Sequence, residues 1–186
     1  MYKKLLNEMH LTLIIQPLTP LLIKSSQDTG ANPLLPSMSF VRSPHPVMGD
    51  QTAYIPGSSL KGVIRSRAEQ YIRTLSLNIN EFNDAQVHKQ VDKAILKQNF
   101  YRVVCSATRM FGSTSLAGRV RFPDFYPDNV LDILPIRQMV AIDRRSGASA
   151  NTFTMEVVPP VVDQKRVFFT GTIHLQNFER WQVGLL

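Results

Sequence analysis

A single cysteine, Cys105, in 186 residues excludes an intramolecular disulfide, and its apolar neighbours Val103, Val104 and Ala107 mark a structural thiol rather than a nucleophile. The four histidines, His10, His45, His88 and His174, are scattered with no paired ligand spacing, which argues against a structural zinc site. The apolar run Leu11 to Ile15 is too short for a signal peptide or a membrane span, so a cytoplasmic protein with no membrane partner is expected. Familiar catalytic signatures are lacking too. There is no Gly-x-Gly-x-x-Gly, Gly-x-Ser-x-Gly or His-Glu-x-x-His. Gly57 and Gly62 have the first spacing of a Walker loop, but Val63-Ile64 stand where Lys and Ser/Thr are required. These gaps remove the simple NTPase, dinucleotide, hydrolase and zincin readings. No internal repeat or low-complexity tract is present.

What is there suits one medium domain with a sizeable core, since 44% of the residues are hydrophobic. The net charge is +7, from 21 basic and 14 acidic residues, and it is unevenly placed. Between Gly57 and Arg121 eleven basic residues face four acids, so this segment carries the whole excess and the rest is neutral. Charge concentrated in this way suits a polyanion partner, nucleic acid first, with a merely soluble basic surface as the alternative.

The most informative stretch is Tyr54-Ile-Pro-Gly-Ser-Ser-Leu-Lys-Gly-Val-Ile-Arg-Ser66. It reads as a strand end, a tight Pro56-Gly57 turn and the start of an amphipathic helix over about 59–75. Ser58 or Ser59 is the expected cap, and Leu60, Val63, Ile64, Tyr71 and Ile72 form the expected apolar face. Gly57 permits close approach to the backbone, and the first-turn N–H groups favour an anion. Lys61 and Arg65 stand four apart and extend positive charge along one face. A phosphate suits this constellation, and an ordinary capped helix with a solvated basic face fits the same residues.

Elsewhere, residues 9–16 read as a buried strand ended by Pro17 and Pro20. Residues 25–50 read as a long Ser/Pro/Asn/Gly-rich loop with one extended piece, Ser39–Arg42. A polar helical insertion is expected within 76–104, periodic over 83–97. A helix around 101–110 follows, ended by Phe111-Gly112. Arg119–Phe122 alternates as a strand. Residues 136–142 and 152–158 are β-rich and flank the polar tip Asp143–Ser149, which makes a hairpin or a projecting loop. Val167–Leu175 alternates as a half-buried strand. Strands and helices interleave without a regular βα repeat, so α+β is the expected class. The end of the chain, Phe178–Leu186, starts an apolar helical pattern too short to be stable unless packed, and it suits a chain that continues or a partner that completes it.

Taken together, Tyr54–Arg65, Cys105-Ser-Ala-Thr-Arg-Met-Phe-Gly-Ser113, Gly118-Arg-Val-Arg-Phe-Pro-Asp124 and Ile142-Asp-Arg-Arg-Ser-Gly-Ala148 resemble, in order, the RAMP superfamily. The resemblance is specifically to backbone subunits of type III CRISPR effector complexes. It implies a ferredoxin-like, RRM-like fold with a helical insertion and a β-hairpin thumb at about 135–160. The implied partners are a CRISPR guide RNA, a target single-stranded RNA, and other RAMP and effector-complex subunits. It also implies that Gly57, Ser58, Ser59, Lys61 and Arg65 contact the guide backbone. Arg109, Phe111 and Gly112 match a second family motif beside that contact. Arg42, Arg137, Met139, Arg144 and Arg145 are further candidates to touch RNA, Met139 as an apolar wedge for base displacement or as ordinary strand packing.

Cleaving members of this family use a loop Asp and a metal ion. The matching register here falls near Ser37 or Met38, which cannot replace a carboxylate. Asp28 is the only acid between Glu8 and Asp50, so it is the catalytic candidate, with Mg2+ or Mn2+ as the cofactor it would need; otherwise it is a turn residue in Asp28-Thr-Gly30, and no tightly bound cofactor is expected. The function expected is therefore a guide-RNA-binding scaffold in antiviral defence. The alternatives are a metal-dependent endoribonuclease acting through Asp28, a guide-processing ribonuclease with a histidine base, and a stand-alone single-stranded RNA-binding module.

Overall fold

A computed structural model describes residues 4–26, 36–75, 101, 104–113 and 116–186. The expected insertion at 83–97 and the catalytic candidate Asp28 lie outside the described residues. The chain falls into two compact units. One comprises residues 1–12, 57–123 and 172–186, the other residues 13–56 and 124–171.

Ten strands and three helices are described. The strands are β1 (Glu8–Ile15), β2 (Arg42–Pro44), β3 (Gln51–Ala53), β4 (Val120–Arg121), β5 (Tyr126–Pro127), β6 (Ile136–Ile142), β7 (Ser149–Glu156), β8 (Val161–Val162), β9 (Lys165–Arg166) and β10 (Phe169–Gln176). The helices are α1 (Gly57–Thr74), α2 (Ser106–Phe111) and α3 (Arg180–Val183). The main sheet has the order β1-β10-β4, with β5 also pairing with β10. β10 is antiparallel to both β4 and β5. Helices beside antiparallel strands give an α+β fold.

β10 follows its alternation: Phe169, Ile173 and Leu175 are buried and Thr170 is exposed. β1 departs from the buried strand expected of its sequence. Glu8, His10, Thr12 and Ile14 are exposed while Met9, Leu11, Leu13 and Ile15 are half-buried, so one face stays open despite the apolar run. Contacts Gln176–Glu8 (3.0 Å) and Thr172–Thr12 (3.3 Å) advance in opposite directions along the two strands, so β1 and β10 are antiparallel.

In the first unit α1 and α2 pack together, with Ala68, Ile72, Ala107, Met110 and Phe111 buried alongside Val120, Ile173 and Leu175. Full burial of a side chain such as Ile72 stabilises by about 1.5–3 kcal/mol. Val63 and Tyr71, expected on the apolar face of α1, are exposed instead. Half-buried Ile64 and buried Ala68 and Ile72 keep an i, i+4 spacing, seven residues on from buried Gly57, which leaves Val63 and Tyr71 off the seam. Cys105 caps α2: its Sγ accepts the Thr108 amide at 3.5 Å. The short α3 is packed rather than isolated. Gln182 is fully buried and donates to Tyr101 Oη at 3.3 Å.

In the second unit the core is Phe40, Ala53, Ile55, Phe125, Leu131, Leu134, Val157, Val158, Val167 and Phe169. Ile55 and Phe125 exchange two backbone hydrogen bonds of 2.9 Å, which anchor the chain just ahead of α1. β6 and β7 form the expected hairpin, in register from Ile136↔Glu156 to Ala141↔Asn151 with an irregularity at Ile142. At its tip Asp143 Oδ1 accepts from the Arg145 and Ser146 amides at 2.7 and 2.9 Å, an Asx turn completed by Gly147 at φ 67°. These bonds hold the Asp143 carboxyl below its ordinary range.

Candidate RNA-binding surfaces

The helix α1 begins at Gly57, directly after Pro56, so Ser58 and Ser59 lie inside the first turn rather than capping it. The first residue of the helix is also its most tightly packed. A Cβ there would sit 2.1 Å from the Phe122 carbonyl oxygen and 2.5 Å from that of Pro123. The glycine is therefore required by the backbone of the same unit, and the close approach expected of a ligand is already made by residues 122–123. Ser58 and Ser59 are exposed, and their amides, at the start of the helix, have no intrahelical i−4 carbonyl to donate to.

Lys61 and Arg65 follow one helical turn apart, both half-buried. Burial, reinforced by the neighbouring Arg65 charge, lowers the Lys61 pKa. Arg65 is not a free cation. Its Nε donates to Glu69 Oε1 at 2.8 Å and its Nη1 to the Gly112 carbonyl at 3.0 Å, tying α1 to the end of α2.

Gly112 explains the glycines of the second and third motifs. It sits at φ 86°, ψ 176°, and a Cβ would meet Gly118 N at 2.6 Å and Leu116 O at 2.7 Å. A Cβ on Gly118 would in turn meet Phe111 O at 2.5 Å. Phe111, expected beside the RNA contact, is buried and stacks on Phe122 with centroids 6.5 Å apart. Arg109 donates to the Val104 carbonyl at 3.0 Å and lies over the Tyr101 ring, so its guanidinium faces protein on two sides.

In the second unit Arg42 is clamped. Its Nη2 donates to Glu156 Oε1 at 2.6 Å, and its Nη1 reaches the Leu131 and Asp132 carbonyls and Asp132 Oδ1 at 3.4 Å. Glu156 also accepts the Phe40 amide at 2.9 Å. Arg42 borders an open cavity of about 840 Å³ with Ser39, Tyr54, Asp132 and Ile133. Burial, with the Asp124 charge next, raises the Tyr54 pKa. On the hairpin, Arg137 pairs with Met155 and Met139 with Phe153 on one face. Arg144 and Arg145 occupy the exposed tip. Ile136, Val140 and Ile142 are 54–66% exposed on the other face, an apolar ribbon the sequence reading passed over because β periodicity does not tell which face is covered. Ser37 and Met38, the register of the family's loop Asp, dock on this hairpin: the Ser37 amide donates to Thr154 Oγ1 and the Met38 amide to the Thr154 carbonyl.

Tertiary structure also unites two histidines that the sequence shows 164 positions apart. His10 and His174 stand edge-to-face with ring centroids 4.5 Å apart.

The RAMP superfamily profile matches residues 14–186. The chain belongs to the RAMP superfamily. Among solved structures, it is similar to a chain of a "Type IV-B CRISPR Complex" with a TM-score of 0.58 and 15% identity, over 96% of this chain and 77% of that one. At that identity the likeness carries the fold alone. No curated protein matches the chain. Among the described residues of this RAMP protein, no helix is long and apolar enough to cross a membrane.

Proposed function

We propose that this RAMP protein is a guide-RNA-binding backbone subunit of a CRISPR ribonucleoprotein, of type III by the order of its four motifs. The observation that carries the reading is the start of α1. There an exposed first turn, Ser58-Ser59, is followed by Lys61, whose ammonium is made costly by burial and by Arg65. A phosphate at this place accepts from the Ser58 and Ser59 amides and relieves the crowding of the two cations. Recognition is of backbone and shape, and sequence reading is left to base pairing. The ferredoxin-like arrangement of the sheet and the thumb role of β6–β7 belong to the same proposal. Met139, Arg137 and the tip arginines would then act on the guide–target duplex. Arg42 is a framework residue in this reading, because two carboxylates already hold its guanidinium.

Lys61→Ala is the cleanest test, since Arg65→Ala would also cut α1 from Gly112. Binding of single-stranded RNA by the full chain is measured across a salt series. The expected result is weaker binding for every RNA sequence and a log–log salt slope reduced by about 0.7 for the lost phosphate contact. An unchanged slope sinks the assignment. In the assembled complex, Asp28→Asn with Mg2+ separates scaffold from nuclease. Loss of one product from a regular cleavage ladder with binding retained makes Asp28 catalytic, and an unchanged ladder leaves the chain a scaffold. A stand-alone RNA-binding module is distinguished by failure to join guide RNA with the other effector subunits.

A further inference from the structure

Glu8 and His10 on β1 and His174 on β10 form a cluster in the first unit whose ligand atoms all lie within 4.8 Å of one another. Antiparallel pairing of β1 with β10 puts His10 opposite His174, and the period of two puts Glu8 on the same face as His10. Glu8 Oε1 stands 3.5 Å from His10 Nε2. Two ligands about 2.0–2.1 Å from a tetrahedral zinc are separated by roughly 3.4 Å, so this pair already has the required spacing. The remaining separations close through side-chain rotation, for which the side chains have room: His10 is 54% and Glu8 35% exposed.

The surroundings support ligation. Gln176, beside Glu8 across the strands, donates through Nε2 to Glu8 Oε1 at 3.0 Å and so orients the carboxylate. Arg121, the register partner of His174 on β4, puts a positive charge on that side, which opposes a cation and which the Glu8 carboxylate offsets. His45 does not compete, because it is buried and its ring is bonded to the Pro127 carbonyl and to the Val47 and Met48 amides, while His88 lies outside the described residues.

We propose that Glu8, His10 and His174 bind a divalent transition-metal ion, Zn2+ foremost. Two neutral imidazoles and one carboxylate are the borderline nitrogen and oxygen donors that zinc, cobalt and nickel accept, and three protein ligands leave a coordination position open to water or another oxygen ligand. The site shares no residue with the RNA contact proposed at α1.

The test uses untagged full-length protein stripped with a chelator and titrated with Zn2+ by calorimetry and with Co2+ by visible absorption. The expected result is one ion per chain, with a cobalt spectrum of low coordination number. His10→Ala, His174→Ala and Glu8→Gln each weaken binding by about tenfold or more, and His88→Ala leaves it unchanged. Glu8→Gln and exposed His10 guard against variants that merely misfold, and circular dichroism checks each. No bound ion, equal binding by all three ligand variants, or loss on His88→Ala overturns the proposal.

Discussion

Gly57 and Gly62 occupy the same helix five residues apart, and the structure predicts opposite responses to alanine. At Gly57 a Cβ falls 2.1, 2.5 and 2.7 Å from the backbone atoms Phe122 O, Pro123 O and Phe122 C. Backbone cannot rotate aside as a side chain can, so α1 must shift or the segment at 122–123 must yield. Overpacking of this kind costs about 1–3 kcal/mol, and a clash with main chain belongs at the upper end. At Gly62 nothing lies within 4 Å of the added Cβ, and the position is exposed. There the substitution only removes the helix penalty of glycine, a gain of about 0.5–1 kcal/mol. For a chain of this size each kcal/mol moves Tm by about 2–4 °C, so Gly57→Ala should melt about 5–10 °C below wild type and Gly62→Ala a few degrees above it. Thermal denaturation followed by circular dichroism, with urea unfolding as a check, reads both. A Gly57→Ala protein as stable as wild type would refute the tight approach of residues 122–123, and with it the requirement for glycine at the start of α1.

Arg42→Ala leaves Glu156 half-buried with its strongest partner gone, and should cost about 2 kcal/mol in urea unfolding, discounted from a fully buried pair because Arg42 is partly exposed. Removing both partners as Arg42→Met with Glu156→Leu should recover most of that loss. Glu179 accepts from Trp181 Nε1 and Tyr101 Oη, both at 2.7 Å, bonds that lower its pKa from the ordinary 4.5, while burial and the Glu179 hydrogen bond raise that of Tyr101 to about 12. A carboxyl with a depressed folded pKa contributes stability that is complete above its unfolded value and is lost as pH falls through the folded one. Emission of the single tryptophan should therefore shift below about pH 4.5, and Glu179→Gln should abolish that transition. Met139 is 41% exposed, so Met139→Ala should change stability by under about 1 kcal/mol while weakening engagement of complementary target RNA by the assembled complex. An unchanged target affinity would leave Met139 as strand packing against Phe153.

Much of the local structure was legible in the residues because it depends on near neighbours. The alternation of Val167–Leu175 marked β10, the polar tip between two β-rich runs marked the β6–β7 hairpin, and Phe111-Gly112 marked the end of α2. Periodicity placed α1 to within two residues. It missed that Gly57 already belongs to the helix, packed against Phe122 and Pro123 more than sixty positions away. It also misjudged Val63 and Tyr71, since a helix pattern tells which residues share a face but not how wide a neighbour covers it.

The charge excess of the middle segment, the motif order and the α+β class follow from the sequence alone. The pairing of charges does not. Arg65 and Glu69 could be paired from their i, i+4 spacing, but Arg42 with Glu156, and the Glu8–His10 pair with His174, needed chain segments far apart to be brought together. Separations along the chain cannot specify such neighbours, because strand register is set by which faces are buried across the whole sheet. Tertiary structure alone therefore decided which arginines are already neutralised, which glycines are filled by backbone, and that two scattered histidines share one face.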